Sequence, residues 1–119
     1  MKGYIACGMT GIPLHNWPHF EAWERALTNV GWQIISPTRI DEATGFVDVE
    51  RVGTEIVSVE AAPKFDYEAI LKIDFAAISM CDAIILLPGW VDSSGAKREL
   101  VHALELGLKV YEAEEALNV

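Results

Sequence analysis

Short apolar runs alternate along the chain with stretches in which apolar residues recur every three or four positions. That is the pattern of strands buried on both faces and joined by amphipathic helices. Gly3-Tyr4-Ile5-Ala6-Cys7 is the first run, and Gly8-Met9-Thr10-Gly11 breaks it. A helix follows, with Asn16 as its cap, Pro18 in its first turn and Phe20, Trp23, Leu27 and Val30 as its apolar stripe. Gly31 ends it, residues 32–36 form a second strand, and Pro37 stops that strand. Residues 67–80 predict another helix behind Asp66 as N-cap. Residues 83–87, AIILL, are a continuous apolar strand stopped by Pro88-Gly89. After the polar turn 91–94 a helix runs from near Gly95 to Leu106, Gly107 caps it, and residues 108–111 resume as a strand. Residues 112–119 read as an acidic tail of little content. Residues 38–65 are the least legible. They are polar up to Asp48 and then alternate loosely over 49–59, compatible with an irregular strand, a hairpin or part of a lid.

The order β-α-β-loop-α-β-α-β implies a single α/β domain over residues 1–119. It is a small doubly wound, flavodoxin- or Rossmann-like parallel sheet with strand order 2-1-3-4 and helices on both faces. The switch point then lies between the first and third strands. Residues 8–11 and 88–95 would face each other across one crevice there, where open α/β sheets bind ligands. Glycines after a first strand let backbone amides approach a ligand, although a plain tight turn explains Gly8 and Gly11 equally well. Neither GxGxxG nor GxxxxGK[ST] is present.

Two residues break the helical pattern. On the wheel of the helix from Gly95, residues Leu106, Ala103, Ala96, Gly107, Leu100 and Leu104 form one apolar arc, and Glu99 falls inside it. On the helix of residues 67–80, Asp74 falls among Ile70, Tyr67, Ile78 and Leu71. A carboxylate on a core face is costly unless something there needs it. A solvated Lys-Arg-Glu run is the bland account of Glu99, but two such acids on consecutive βα units suggest a shared acidic site. Asp82, between helix and strand, reads as a turn or capping residue.

Composition narrows the functions available. Nine basic residues against 18 acidic ones give a net charge of −9, with no basic run, which argues against nucleic-acid binding. No apolar run reaches membrane-span length and the N-terminus lacks a signal-peptide pattern, so a cytoplasmic protein off the membrane is expected. Cys7 and Cys81 form no metal or redox pair and read as reduced thiols. His15 and His19 have the i, i+4 spacing of a helical metal site but no third ligand nearby; exposed or capping histidines account for them, and neither metal nor cofactor is expected. A hydrophobic fraction of 51% and mean hydropathy of +0.22 are high for a 119-residue domain. They predict a homodimer or higher homo-oligomer.

The chain resembles the nucleoside 2-deoxyribosyltransferase-like superfamily, and more closely a branch found in phage and bacterial genomes and left as a domain of unknown function. The resemblance rests on YIACGMTG at residues 4–11, NWPHF at 16–20, Asp74 eight residues before CDAI at 81–84, LLPGW at 86–90 and SxGAxxE at 93–99. Together these span about 80 residues and leave out roughly 38–66. The resemblance implies that Glu99 is a nucleophile attacking C1′ of a deoxyribose, that Asp74 engages and protonates the base, and that Tyr4 positions Glu99. It implies a substrate site made by Gly8, Met9, Thr10, Gly11, Gly89, Trp90, Ser93, Ser94 and Gly95. The activity implied is cleavage or transfer of the N-glycosidic bond of a 2′-deoxynucleoside or its 5′-monophosphate through a covalent deoxyribosyl-enzyme. The family also often completes each pocket with a neighbouring chain. Two departures stand out. Nucleoside transferases often carry aspartate where this chain has Ser93, whereas related nucleotide N-glycosidases carry serine and bind a 5′-phosphate; with Ser93, Ser94 and the Gly95 amides at a helix N-terminus, this chain looks more like a nucleotide site. Cys7 and Gly8 replace the glycine and proline more usual in this branch. A non-catalytic nucleotide-binding or sensing module, or a purely structural role on the same fold, are the alternatives.

Overall fold

The computed structural model describes all 119 residues. The elements are β1 (Lys2–Ala6), α1 (Trp17–Asn29), β2 (Gln33–Ile35), α2 (Pro37–Thr44), β3 (Val47–Val52), β4 (Glu55–Ala61), α3 (Tyr67–Ser79), β5 (Ala83–Leu86), α4 (Ser94–Glu105), β6 (Lys109–Glu112) and α5 (Ala113–Ala116). Four strands form an all-parallel sheet in the order β2-β1-β5-β6, the expected 2-1-3-4 arrangement.

Alternation along the two central strands builds a core on each face. Ile5 and Cys7 of the first run, with Ala83, Ile85 and Leu87 of the third, pack against Phe20 and Leu27 of α1 and Ala113 and Ala116 of α5. Tyr4, Ala6, Ile84 and Leu86 point the other way, onto Ile78 of α3 and Ala96 and Ala103 of α4. This period-2 partition is what a strand covered by helices on both sides requires. It also fixes the direction of Tyr4, which must face α3 and α4. Asp82 accepts a hydrogen bond from the Lys2 amide (2.9 Å), fastening the start of β5 to the start of β1.

The cap at Asp66 forms as expected, accepting from the Ala69 amide (3.2 Å), and Gly107 follows α4 with φ +75°. Four details differ from the sequence reading. Pro37 does not merely end a strand: Ser36 caps α2, with Pro37 in its first turn, and the strand closes one residue earlier. Of the options for 49–59, the hairpin is realised, as antiparallel β3 and β4 with a register shift between Glu50 and Arg51. The acidic tail contains α5, whose Ala116 carbonyl accepts from Trp32 Nε1 (2.9 Å), and the Glu115 side chain accepts from the Glu112 amide (3.0 Å). Finally, Leu104 and Leu106 of the apolar arc are exposed, and only Ala96, Glu99 and Ala103 of α4 are buried.

Candidate active site

The C-terminal ends of β1 and β5 open into a cavity of about 570 Å³, within the range of small-molecule sites. Its wall draws on the loop after β1, on α2, on the β3–β4 hairpin, on α3 and on the start of α4. Residues 8–10 and 89–95 do face one another there. A Cβ on Gly8 would lie 3.2 Å from the Ser93 Cβ, so the first loop approaches α4 about as closely as glycine allows. Gly89 turns the chain out of β5 with φ +97°.

Asn16 holds this loop in place. It precedes α1, but its φ is +63° and its side chain makes no cap bond, contrary to the expected N-cap. Its Nδ2 instead donates to the Gly8 carbonyl (2.9 Å) and to Cys7 Sγ (3.6 Å). Leu14, His15 and Asn16 are three consecutive non-glycine residues with positive φ, a conformation that costs roughly 1–3 kcal/mol per residue. The segment is offset by these bonds and by burial of Trp17 directly after it, against Ile56 and Val59 of the hairpin. His19 Nε2 lies 3.0 Å from the Pro88 carbonyl, tying α1 to the turn after β5, while His15 lines the cavity.

Three acids are buried against this cavity. Glu99 (8% exposed) enters from α4, Asp74 (9%) from α3 and Asp41 (7%) from α2. The Tyr4 hydroxyl, wholly buried beneath them, donates a hydrogen bond to Glu99 Oε2. Burial pushes Glu99 up to about 7 against the lowering effect of that bond, with Asp41 adding to the rise. Asp74 is pushed up to about 8 by burial, then by the charges of Glu99 and Asp41. Its Oδ1 is buried without any hydrogen-bond partner. Asp41 rises to about 7 through burial alone. Tyr4 is held well above its ordinary value by burial and by the neighbouring acids, so it stays a donor. Near neutral pH the site therefore holds a carboxyl that keeps its proton longest, Asp74, beside one oriented by a phenol, Glu99. A carboxyl that keeps its proton beside one that ionises is the pairing on which general-acid and nucleophilic chemistry draws.

Of the residues expected at the site, Gly8, Met9, Thr10, Gly89, Ser93, Ser94, Gly95, Asp74 and Glu99 line the cavity, and Tyr4 touches it through Glu99. Gly11 and Trp90 do not. Gly11 is exposed with φ +78°, and Trp90 packs onto the core under α4. Ser93 accepts from the Ala96 amide (3.0 Å) as the cap of α4. Sequence reasoning missed Asp41, Asp92, Trp17 and the hairpin residues Val47, Val59 and Ala61, all on the wall. For Asp41 a signal existed. Ser36-Pro37 is a helix start, and Asp41 lies one turn beyond the buried Pro37 on the same face.

Among solved structures, the chain is similar to a 2-deoxyribosyltransferase from the psychrotolerant bacterium Bacillus psychrosaccharolyticus. The TM-score is 0.65 at 20% identity, covering 94% of this chain and 71% of the other, a likeness of fold. No curated protein matches it. No helix is long and apolar enough to cross a membrane. The family model for a domain of unknown function, DUF4406, matches residues 1–112, nearly the whole of the sheet and its helices, and the chain belongs to that family.

Proposed function

We propose that this protein cleaves or transfers the N-glycosidic bond of a 2′-deoxynucleoside. The observation that carries the reading is the Tyr4-held Glu99 on the same cavity wall as the unpartnered Asp74. A Glu99 carboxylate oxygen attacks C1′ as the C1′–N bond breaks. The bond's electron pair leaves on the base, which takes the proton of Asp74. Water, or a second base, then attacks C1′ and releases Glu99; the proton lost by the incoming group returns to Asp74. This is retaining glycosyl chemistry with one carboxylate as nucleophile and one carboxyl as acid, then base. A bound substrate that displaces water from the apolar-sided cavity strengthens both roles. The likeness to a 2-deoxyribosyltransferase fold agrees with it.

Electrostatics favour the free nucleoside over its 5′-monophosphate. The wall carries Asp41, Asp74, Asp92 and Glu99 but neither lysine nor arginine. The α4 amides attract an anion, but Asp92, next to Ser93, repels it. The test is a panel of deoxynucleosides and their monophosphates, with and without acceptor bases, with free base read by chromatography. Base release from a nucleoside, with kcat/KM at least about tenfold above its monophosphate, is the expected result, a like-charge cost of ~1.4 kcal/mol or more. Preference for the monophosphate would restore the phosphate reading drawn from Ser93, and release from neither would leave a binding role.

The protein is further proposed to work as a homo-oligomer, most simply a dimer. Ile73 and Met80 near α3 and Val101, Leu104 and Leu106 on or beside α4 are exposed apolar side chains that a second chain would cover. Sedimentation at micromolar concentration should give at least twice the chain mass; a monomer would contradict this.

A further inference from the structure

One carboxyl in the cavity has no task in that chemistry. Asp41 is 7% exposed, and outside the helix ladder its only hydrogen bond runs through its backbone carbonyl, from Thr44 Oγ1 (3.1 Å). No cation neutralises it. Its charge instead raises Asp74 and Glu99, so it sits close enough to act on both. A buried, unpaired carboxyl beside two others is costly unless a ligand's donor satisfies it. Asp74 Oδ1, on the same wall, is buried with no hydrogen-bond partner at all, so this part of the cavity offers a polar ligand an unmet acceptor beside the Asp41 carboxyl. Val59, Phe65, Ile70 and Leu71 line the cavity with these acids and suit the faces of a flat ring.

Resting on the reading of the cavity as a deoxynucleoside site, we propose that Asp41 selects the base. It accepts a hydrogen bond from an exocyclic amino group, so the pocket takes 6-aminopurine and 4-aminopyrimidine deoxynucleosides ahead of their oxo counterparts. In both classes the ring nitrogen able to receive the Asp74 proton lies next to the exocyclic group. An amino group there donates to Asp41. A carbonyl there turns a lone pair toward a carboxylate and leaves two acceptors facing each other. A site built to bind an N–H discriminates strongly against an analogue that lacks it, because its own buried polar group is then left unpaired.

The test uses two matched pairs, 2′-deoxyadenosine with 2′-deoxyinosine and 2′-deoxycytidine with 2′-deoxyuridine. Base release is measured with the wild type and Asp41→Asn, and nucleoside binding by calorimetry with Glu99→Gln and with Glu99→Gln carrying Asp41→Asn. Asparagine keeps the shape and adds an N–H that a carbonyl can accept. The expected result is an amino-over-oxo ratio of about tenfold or more in one pair, falling to within about threefold of unity in Asp41→Asn. A ratio that survives in Asp41→Asn, or a wild type that treats both members of each pair alike, would overturn the proposal. If no base is released but the calorimetric preference appears and collapses in the same way, selection by Asp41 stands and the catalytic reading falls. If neither member of either pair binds, both fall.

Discussion

Glu99→Gln should fold as the wild type does and lose base release by about 10³-fold or more. Gln has the same shape, and its carbonyl can still accept from the Tyr4 hydroxyl that now donates to Glu99 Oε2. Its position is buried, so no surface property changes. What it lacks is the negative oxygen that attacks C1′, and no neighbouring side chain supplies a substitute at that position. Asp74 retains its proton to about 8, and Asp41 enters from a different helix. Intact mass after quenching a reaction with slow substrate should show a deoxyribosyl adduct on the wild type and none on Glu99→Gln. A variant that released base at the wild-type rate would remove Glu99 from the chemistry and favour a binding role. The measurement is clean because the competing explanation, a damaged core, predicts a lowered melting temperature, which an isosteric change does not.

Glu99 and Asp74 were legible in the sequence for one reason: each is an acid on the apolar arc of a long, regular helix. A period of 3.6 residues turns such a misplacement into a visible exception. Tyr4 and its pairing with Glu99 came from the family resemblance and not from the helical pattern, because the contact joins β1 to α4 across 95 residues of sequence. The sheet order was legible because a buried parallel strand such as residues 83–87 has few alternative readings. The hidden parts share a different property. Asp41 sits on an eight-residue helix whose N-terminal Ser-Pro reads equally well as the end of a strand. The β3–β4 hairpin alternates polar and apolar residues only loosely, since one face packs on Trp17 and the other is solvated around a register shift. Asn16 looks like a helix cap by type and position, yet its amide is used on Gly8, a contact that depends on the path of the first loop. Trp90 shows the converse. Its place in LLPGW suggested the ligand wall, whereas the turn from Gly89 directs it onto the core.

The pH dependence of activity and that of stability should run in different directions. The first step needs Glu99 ionised, with its carboxyl at about 7, and Asp74 protonated, at about 8. Base release should therefore peak near pH 7–8 and fall about tenfold per pH unit on either side, the bell expected of one base and one acid. Stability follows from where the protons sit. In the folded chain Asp41, Asp74 and Glu99 hold protons to about 7, 8 and 7, above their ordinary 3.8, 3.8 and 4.5. Between roughly pH 4 and 8 the folded chain thus binds more protons than the unfolded one, so their contribution is fully present below that window and is lost as pH rises through it. Asp74 alone accounts for up to ~6 kcal/mol by linkage, reduced by whatever water enters the open cavity. The exposed ion pairs of Arg39 with Glu24 and of Arg51 with Glu21 are worth only ~0–1 kcal/mol each and do not set this trend. The three buried carboxyls set the trend, and the melting temperature at pH 5 should exceed that at pH 9, by about 3–6 °C for each kcal/mol that solvent entry leaves. Asp74→Asn should flatten this difference by raising the melting temperature at pH 9, while abolishing the alkaline limb of what activity remains. A wild type more stable at pH 9 than at pH 5 would mean that these acids are ionised and solvated in the folded protein, and a proton donor at Asp74 would then have to be abandoned.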